Sequence, residues 1–341
     1  AGNIVNNGVI TSTSTLALSN FLSGSQTPAT QAQTISGTGV FKNLATSPTA
    51  ELNNFTVNNT SVGGVTLNVP LSVSGTLTLT AGKVNTSSAN LLTLGTATAA
   101  GTLSGGSATA YIVGPFARTI ASGNANTNYI VYPVGKTAYA PISLAPATTA
   151  VTNMKAEAFD TNSGTGSTSI QSLSSIRRWE APMVSGAFST INVKLGDNAI
   201  TGINIPVIAP SASGVYDNLF GNTGTFAAGT PNTIQSTTAL AMASYTGYLS
   251  YAEIAAALAT NEIVSNKISV KAYPNPFTDL LTISDVKNVK SITISDMSGK
   301  IVKTIQKPES TLRLGDLNAG MYLVILNMND GSRQTIKAIK K

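Results

Sequence analysis

The 341-residue chain contains no cysteine and no histidine. Disulfides, thiol catalysis, structural zinc in its usual ligand sets and histidine acid–base chemistry are therefore excluded. Charge is scarce too: only 10% of residues are Asp, Glu, Lys or Arg, against about 25% in ordinary globular chains. Thr, Ser, Asn, Gly and Ala take their place, so strand edges have few charges to guard them, which favours ordered association. No run of about 18 apolar residues occurs, so no helical span is expected. The first 30 residues lack a basic start followed by an apolar core, so the numbering is expected to begin after a removed signal peptide or at a truncation.

The charge that is present is unevenly placed. Residues 1–266 carry 8 Lys/Arg against 8 Asp/Glu, whereas residues 267–341 carry 12 against 6. The net +6 therefore sits on the last stretch. No Lys/Arg stripe interleaves with aromatics in the neutral body, which argues against nucleic acid as a partner.

That last stretch is the most informative one. It opens with Lys271-Ala272-Tyr273-Pro274-Asn275-Pro276-Phe277 and continues through Leu281–Ser284 and Ile292–Lys300, which includes Gly299 and Lys300. Then come Leu314–Val324, with Gly320 and Tyr322, and Ile336–Lys340, with Lys337. Ile and Thr alternate through Ser291–Ser295, the period of a strand with one buried face. Met297–Lys300 and Asn329–Ser332 read as hairpin turns. Pro274 and Pro276 cannot donate to a central ladder and belong where the chain enters the domain. In these five ordered blocks, residues 267–341 resemble the type A sorting domain of the type IX secretion system, the Por-type secretion tail. The resemblance implies an Ig-like β-sandwich that directs its cargo across the outer membrane of a Gram-negative bacterium. It makes the secretion machinery a partner and the cell surface or the extracellular space the destination. An address is not an activity, however.

Residues 1–110 read as short alternating strands broken by Gly, Asn and Ser, as in Val65–Val69, Leu71–Leu79 and Leu91–Gly95. This is the texture of a parallel β-helix with about 20 residues per coil; a Greek-key sandwich has a similar signature. The pairs Asn6-Asn7, Asn53-Asn54 and Asn58-Asn59 favour the coil, with side-chain amide ladders between its turns. The region also resembles repeated segments of bacterial surface proteins exported by the same route. Its only charges are Lys42, Glu51 and Lys83, too few for a polysaccharide-cleaving groove. Residues 111–255 suggest a β-sandwich with long loops suited to binding, and residues 256–266 suggest a linker.

The remaining constellations have ordinary explanations. Gly135-Lys136-Thr137 lacks the earlier glycine of a phosphate loop, since position 130 is Ile130. Asp197-Asn198, Asp217-Asn218 and Asn327–Gly331 carry oxygen ligands, but not the ligand count of a calcium loop, and read as turn formers. Glu157 and Asp160 fall on opposite faces of a strand, and no Ser-x-x-Lys motif with supporting residues appears. In Arg177-Arg178-Trp179-Glu180, Arg177 and Trp179 share a face; packing explains it, and a sugar-stacking platform is the functional alternative.

The expectation is thus an all-β, exported, non-enzymatic protein without a cofactor. Two roles follow: a self-associating fibre subunit, suggested also by a first coil, Gly2–Asn7, that arrives without a polar cap, and an adhesin for surface glycans.

Overall fold

The computed structural model describes residues 2–19, 31–44, 50–221, 223–254 and 270–341. The expected linker at 256–266 lies outside the described residues. The fold is all-β: a single 3-10 turn, Met242–Ser244, is the one helical element among the described residues. The chain divides into two compact units, residues 1–257 and 258–341.

The first unit begins with strands β1 (Ile4–Val5), β2 (Val9–Thr11), β3 (Thr15–Ser19), β4 (Gln33–Ser36), β5 (Val40–Lys42), β6 (Asn54–Asn58) and β7 (Val65–Leu67). It continues with β8 (Leu71–Val73), β9 (Thr76–Asn85), β10 (Leu92–Leu94), β11 (Thr102–Gly105), β12 (Ala110–Val113) and β13 (Phe116–Ile120). Every ladder among these strands is parallel. One runs β1-β4-β7-β9-β12, a second β3-β6-β9-β11, a third β8-β10-β13, and β2 pairs with β5. Strand β9 serves two ladders: Leu77 lies between Phe55 and Leu103, whereas Val84 lies between Val65 and Ile112. Between those two halves, Gly82 adopts φ 85°, a conformation open to glycine and costly for other residues.

Period-2 alternation turns Phe55, Val57, Leu77, Leu79, Leu92 and Leu94 inward, where they are buried. The parallel register stacks them in columns, with Leu92 between Leu71 and Phe116. Among the described residues the expected amide contacts are few, and most of these asparagines bond backbone instead. Asn54 Oδ1 accepts the Thr76 N–H at 2.8 Å, Asn6 Nδ2 donates to the Val40 carbonyl at 3.0 Å, and buried Asn59 donates to Gln33 Oε1 at 2.9 Å. Where a strand ends, its neighbours' backbone groups lose ladder partners, and the amide side chains supply them.

The parallel stack passes through position 110. β13 pairs in parallel with β10 on one side and antiparallel with β17 (Thr152–Phe159) on the other. From there most pairs are antiparallel: β17 meets Arg178–Glu180, which meets Tyr248–Ile254, while Val134–Gly135 still pairs in parallel with β12 and Thr165–Gly166 with Val215–Tyr216. A separate sheet centres on Phe188–Gly196. One hydrophobic cluster runs from Leu18 to Tyr251 and joins both kinds of sheet.

The second unit has a three-stranded sheet, Ala272–Tyr273, Leu280–Ile283 and Thr311–Arg313. Its four-stranded sheet runs in the order Ile301–Gln306, Val289–Asp296, Gly320–Met328, Arg333–Lys340, every pair antiparallel. Leu281, Ile283, Ile292, Ile294, Val324 and Leu326 share its core with Phe277 and Ala338.

Candidate functional site

The terminal strand Arg333–Lys340 is the edge of the four-stranded sheet, and the Pro-rich segment closes part of that edge. Pro274 and Pro276 have no N–H to give. Asn275 supplies the missing groups from its side chain: Nδ2 donates to the Lys337 carbonyl at 2.8 Å, and Oδ1 accepts the Ile339 N–H at 2.9 Å. Phe277 then takes over with its backbone, its N–H donating to Ile339 O at 2.8 Å and its carbonyl accepting the Lys341 N–H at 2.9 Å. The Phe277 ring is buried in the core, while Tyr273 is exposed. The amide and ring together fasten the start of the domain to its end.

Gly299 (φ 85°) closes the hairpin between two of the strands. Asp296 Oδ1 accepts from the Ser298 N–H, the Ser298 hydroxyl and the Lys300 N–H at 2.9, 2.6 and 3.1 Å. The Ser298 hydroxyl foremost, then the Lys300 and Ser298 N–H groups, hold that carboxyl below the usual range. Asp330 repeats the device with Ser332 at the other hairpin. Gly320 starts the strand Gly320–Met328 that contains Tyr322, and the Tyr322 hydroxyl donates to the Asn318 carbonyl at 2.8 Å, closing the loop before it.

Lys337 is exposed and contributes its carbonyl to the Asn275 contact. Lys340 was not singled out from the sequence, yet its ammonium is the more embedded. Nζ donates to the Thr278 carbonyl, lies 3.4 Å from Asp279 Oδ1 and sits 5.8 Å from the Phe277 ring centre. Strand parity could have found it, because Lys340 shares its face with fully buried Ala338.

In the first unit, Trp179 is wholly enclosed, and its Nε1 donates to the Ala140 carbonyl at 2.8 Å. A sugar-stacking platform needs an exposed ring face, so the structure corrects that alternative to packing. Arg177 is buried as well, with Nε on Asp197 Oδ2 at 2.5 Å and Nη1 paired to Asp160. Both of its charge partners belong to the fold. Arg178 and Glu180 pair on the opposite face at 3.0 Å, as alternation requires.

Residues 271–341 match the family model for the secretion system C-terminal sorting domain. No curated protein and no solved structure matches the chain. The two-sheet unit is thus a sorting domain, and the chain is cargo of the type IX secretion system. The domain implies a partner in the secretion machinery and export to the cell surface or the extracellular space. No helix among the described residues is long and apolar enough to cross a membrane.

Proposed function

We propose that this exported chain is a non-enzymatic structural subunit of the cell surface or extracellular matrix of a Gram-negative bacterium, with a β-helix-like body that assembles head to tail and an Ig-like sorting domain. One observation carries the reading. In the ladder β3-β6-β9-β11, β3 pairs only with β6 and β11 only with β9 among the described residues. Among the described residues no strand pairs with the outer side of β3 or of β11. Joining β11 of one copy to β3 of the next continues the same ladder, a heterologous contact that does not close on itself.

The surroundings suit such a joint. Lys42 is the first charged residue of the chain, and Val5 and Val9, in the first strands of two other ladders, are 65% and 62% exposed. Charge is the usual guard of an exposed edge, and it is missing here. The non-enzymatic part rests on chemistry. The chain has no histidine or cysteine, and Arg177 engages half-buried Asp160 and buried Asp197.

Electron microscopy of the full chain tests the assembly. Filaments repeating at one subunit are expected, and a protein that stays monomeric at high concentration overturns the reading. Ala17→Lys and Ser104→Lys place a charge at either edge and should each stop growth. Mixed together, the two variants should form a discrete dimer through their unblocked edges, which general loss of folding would not produce.

A further inference from the structure

A second feature of the first unit is independent of assembly. On the outer face of the sheet holding β8, β10, β13 and β17, a cleft of about 230 Å³ opens to solvent. Glu51, Ser72, Thr93, Thr119, Asn153 and Ser185 are among the residues that line it. Glu51 is the only acidic residue in the first 110 positions and is 7% exposed. Among the described residues no group donates a hydrogen bond to its carboxylate, and the Ser72 and Thr93 hydroxyls make none either. By contrast, Thr119 is engaged: its hydroxyl donates to the Thr96 carbonyl at 2.8 Å and accepts from Asn153 at 3.3 Å.

Register puts the three free groups in a line. Leu52 bridges Val73, and Ser72 lies opposite Thr93, so Glu51, Ser72 and Thr93 occupy one row across neighbouring strands. Adjacent strands are roughly 4.8 Å apart, and the row therefore spans roughly 10 Å. A nearly buried carboxylate without a donor is costly, and here it faces solvent-reachable space rather than a partner among the described residues.

We propose that this cleft binds a sugar carrying a free protonated amine, a hexosamine unit, with its ammonium on Glu51 and its hydroxyls on Ser72 and Thr93. The charge argues for this class. One carboxylate matches one ammonium, whereas calcium takes six to eight oxygen ligands, usually several of them carboxylates. A neutral sugar can donate a hydroxyl to the carboxylate but brings no charge to match it. Among the described residues no aromatic ring lines the cleft, so affinity rests on hydrogen bonds and one charge-assisted contact.

The experiment is calorimetric titration of the full chain with D-glucosamine at neutral pH, with glucose, N-acetylglucosamine and calcium chloride in parallel. Saturable glucosamine binding in the roughly millimolar range is expected, weakened about tenfold or more in Glu51→Gln, with neutral sugars comparably weak. Thr93→Val should weaken binding with folding intact. The melting temperature of Glu51→Gln should hold or rise, since that substitution removes no donor. Equal affinity for N-acetylglucosamine, unchanged binding in Glu51→Gln, calcium binding without glucosamine binding, or a melting temperature that falls in Glu51→Gln would each overturn the proposal. Filaments can form or fail without changing any of these results.

Discussion

Asn275 does with its side chain what the prolines on either side cannot do with their backbones. Two hydrogen bonds to the terminal strand depend on it, each contributing about 0.5–1.5 kcal/mol. Asn275→Ala should therefore destabilise the sorting domain by about 1–3 kcal/mol and speed amide exchange at Ile339, read by hydrogen–deuterium exchange. Asn275→Asp keeps the acceptor for Ile339 and should fall between. The same scale governs Arg177. Its removal leaves Asp197, 4% exposed, without its cation, and breaking a buried pair from one side costs about 3–5 kcal/mol; Arg177→Ala should show this in denaturant titration of the first unit. At Asp160 burial pushes the carboxyl up, but the Thr137 hydroxyl and N–H, with Arg177, outweigh it and leave the group below its usual range. A depressed folded value means that the stabilisation is complete above the unfolded value, about 3.9, and is lost as pH falls through the folded one. The stability gap between the native chain and Asp160→Asn should thus be widest near neutrality and shrink below about pH 4.

Elements obey the same local rules with different visibility. Alternation in Val65–Leu79 and Leu91–Gly95 announces strands with one buried face, because period 2 is printed in the residue order. The tail was the most legible: its turn residues, prolines and alternating strands all lie where the sequence places them. Less visible was what the asparagines bond, since a side-chain amide offers the same donor and acceptor to another amide or to a backbone. The passage of the stack through position 110 was hidden too. Tyr111–Thr119 reads as strand whichever neighbour it pairs with, and the two textures are joined by β12 and β13 each pairing on both sides. Glycine carries a sharper test. A Cβ on Gly82 would stand 1.5 Å from the Asn59 carbonyl oxygen, while one on Gly8 meets nothing within 4 Å. Gly82→Ala should cost more than the about 1–3 kcal/mol of backbone strain alone, and Gly8→Ala should leave the melting temperature nearly unchanged.

For the whole molecule, the decisive fact is that each unit has its own core. Leu281 is fully buried in the sorting domain's cluster, which extends from Val270 to Ala338 and draws no residue from the first unit. Leu281→Ala should remove about 2–5 kcal/mol from the sorting domain. Calorimetry of the full chain should then show the transition of residues 258–341 lowered and that of residues 1–257 unmoved. Export supplies a second readout of the same substitution. If the secretion machinery reads the folded domain, the variant accumulates inside the cell in proportion to the fraction unfolded, and a second-site change that restores the melting temperature restores release. If it reads the exposed residues of the chain as a linear signal, release persists while the transition falls. Asn275→Ala loosens the edge that joins the start of the domain to its end, and because Asn275 is itself an exposed residue of the signal stretch, its loss of export is read against its loss of stability. Recognition of the folded surface therefore requires both variants to lose export in the order of their loss of stability.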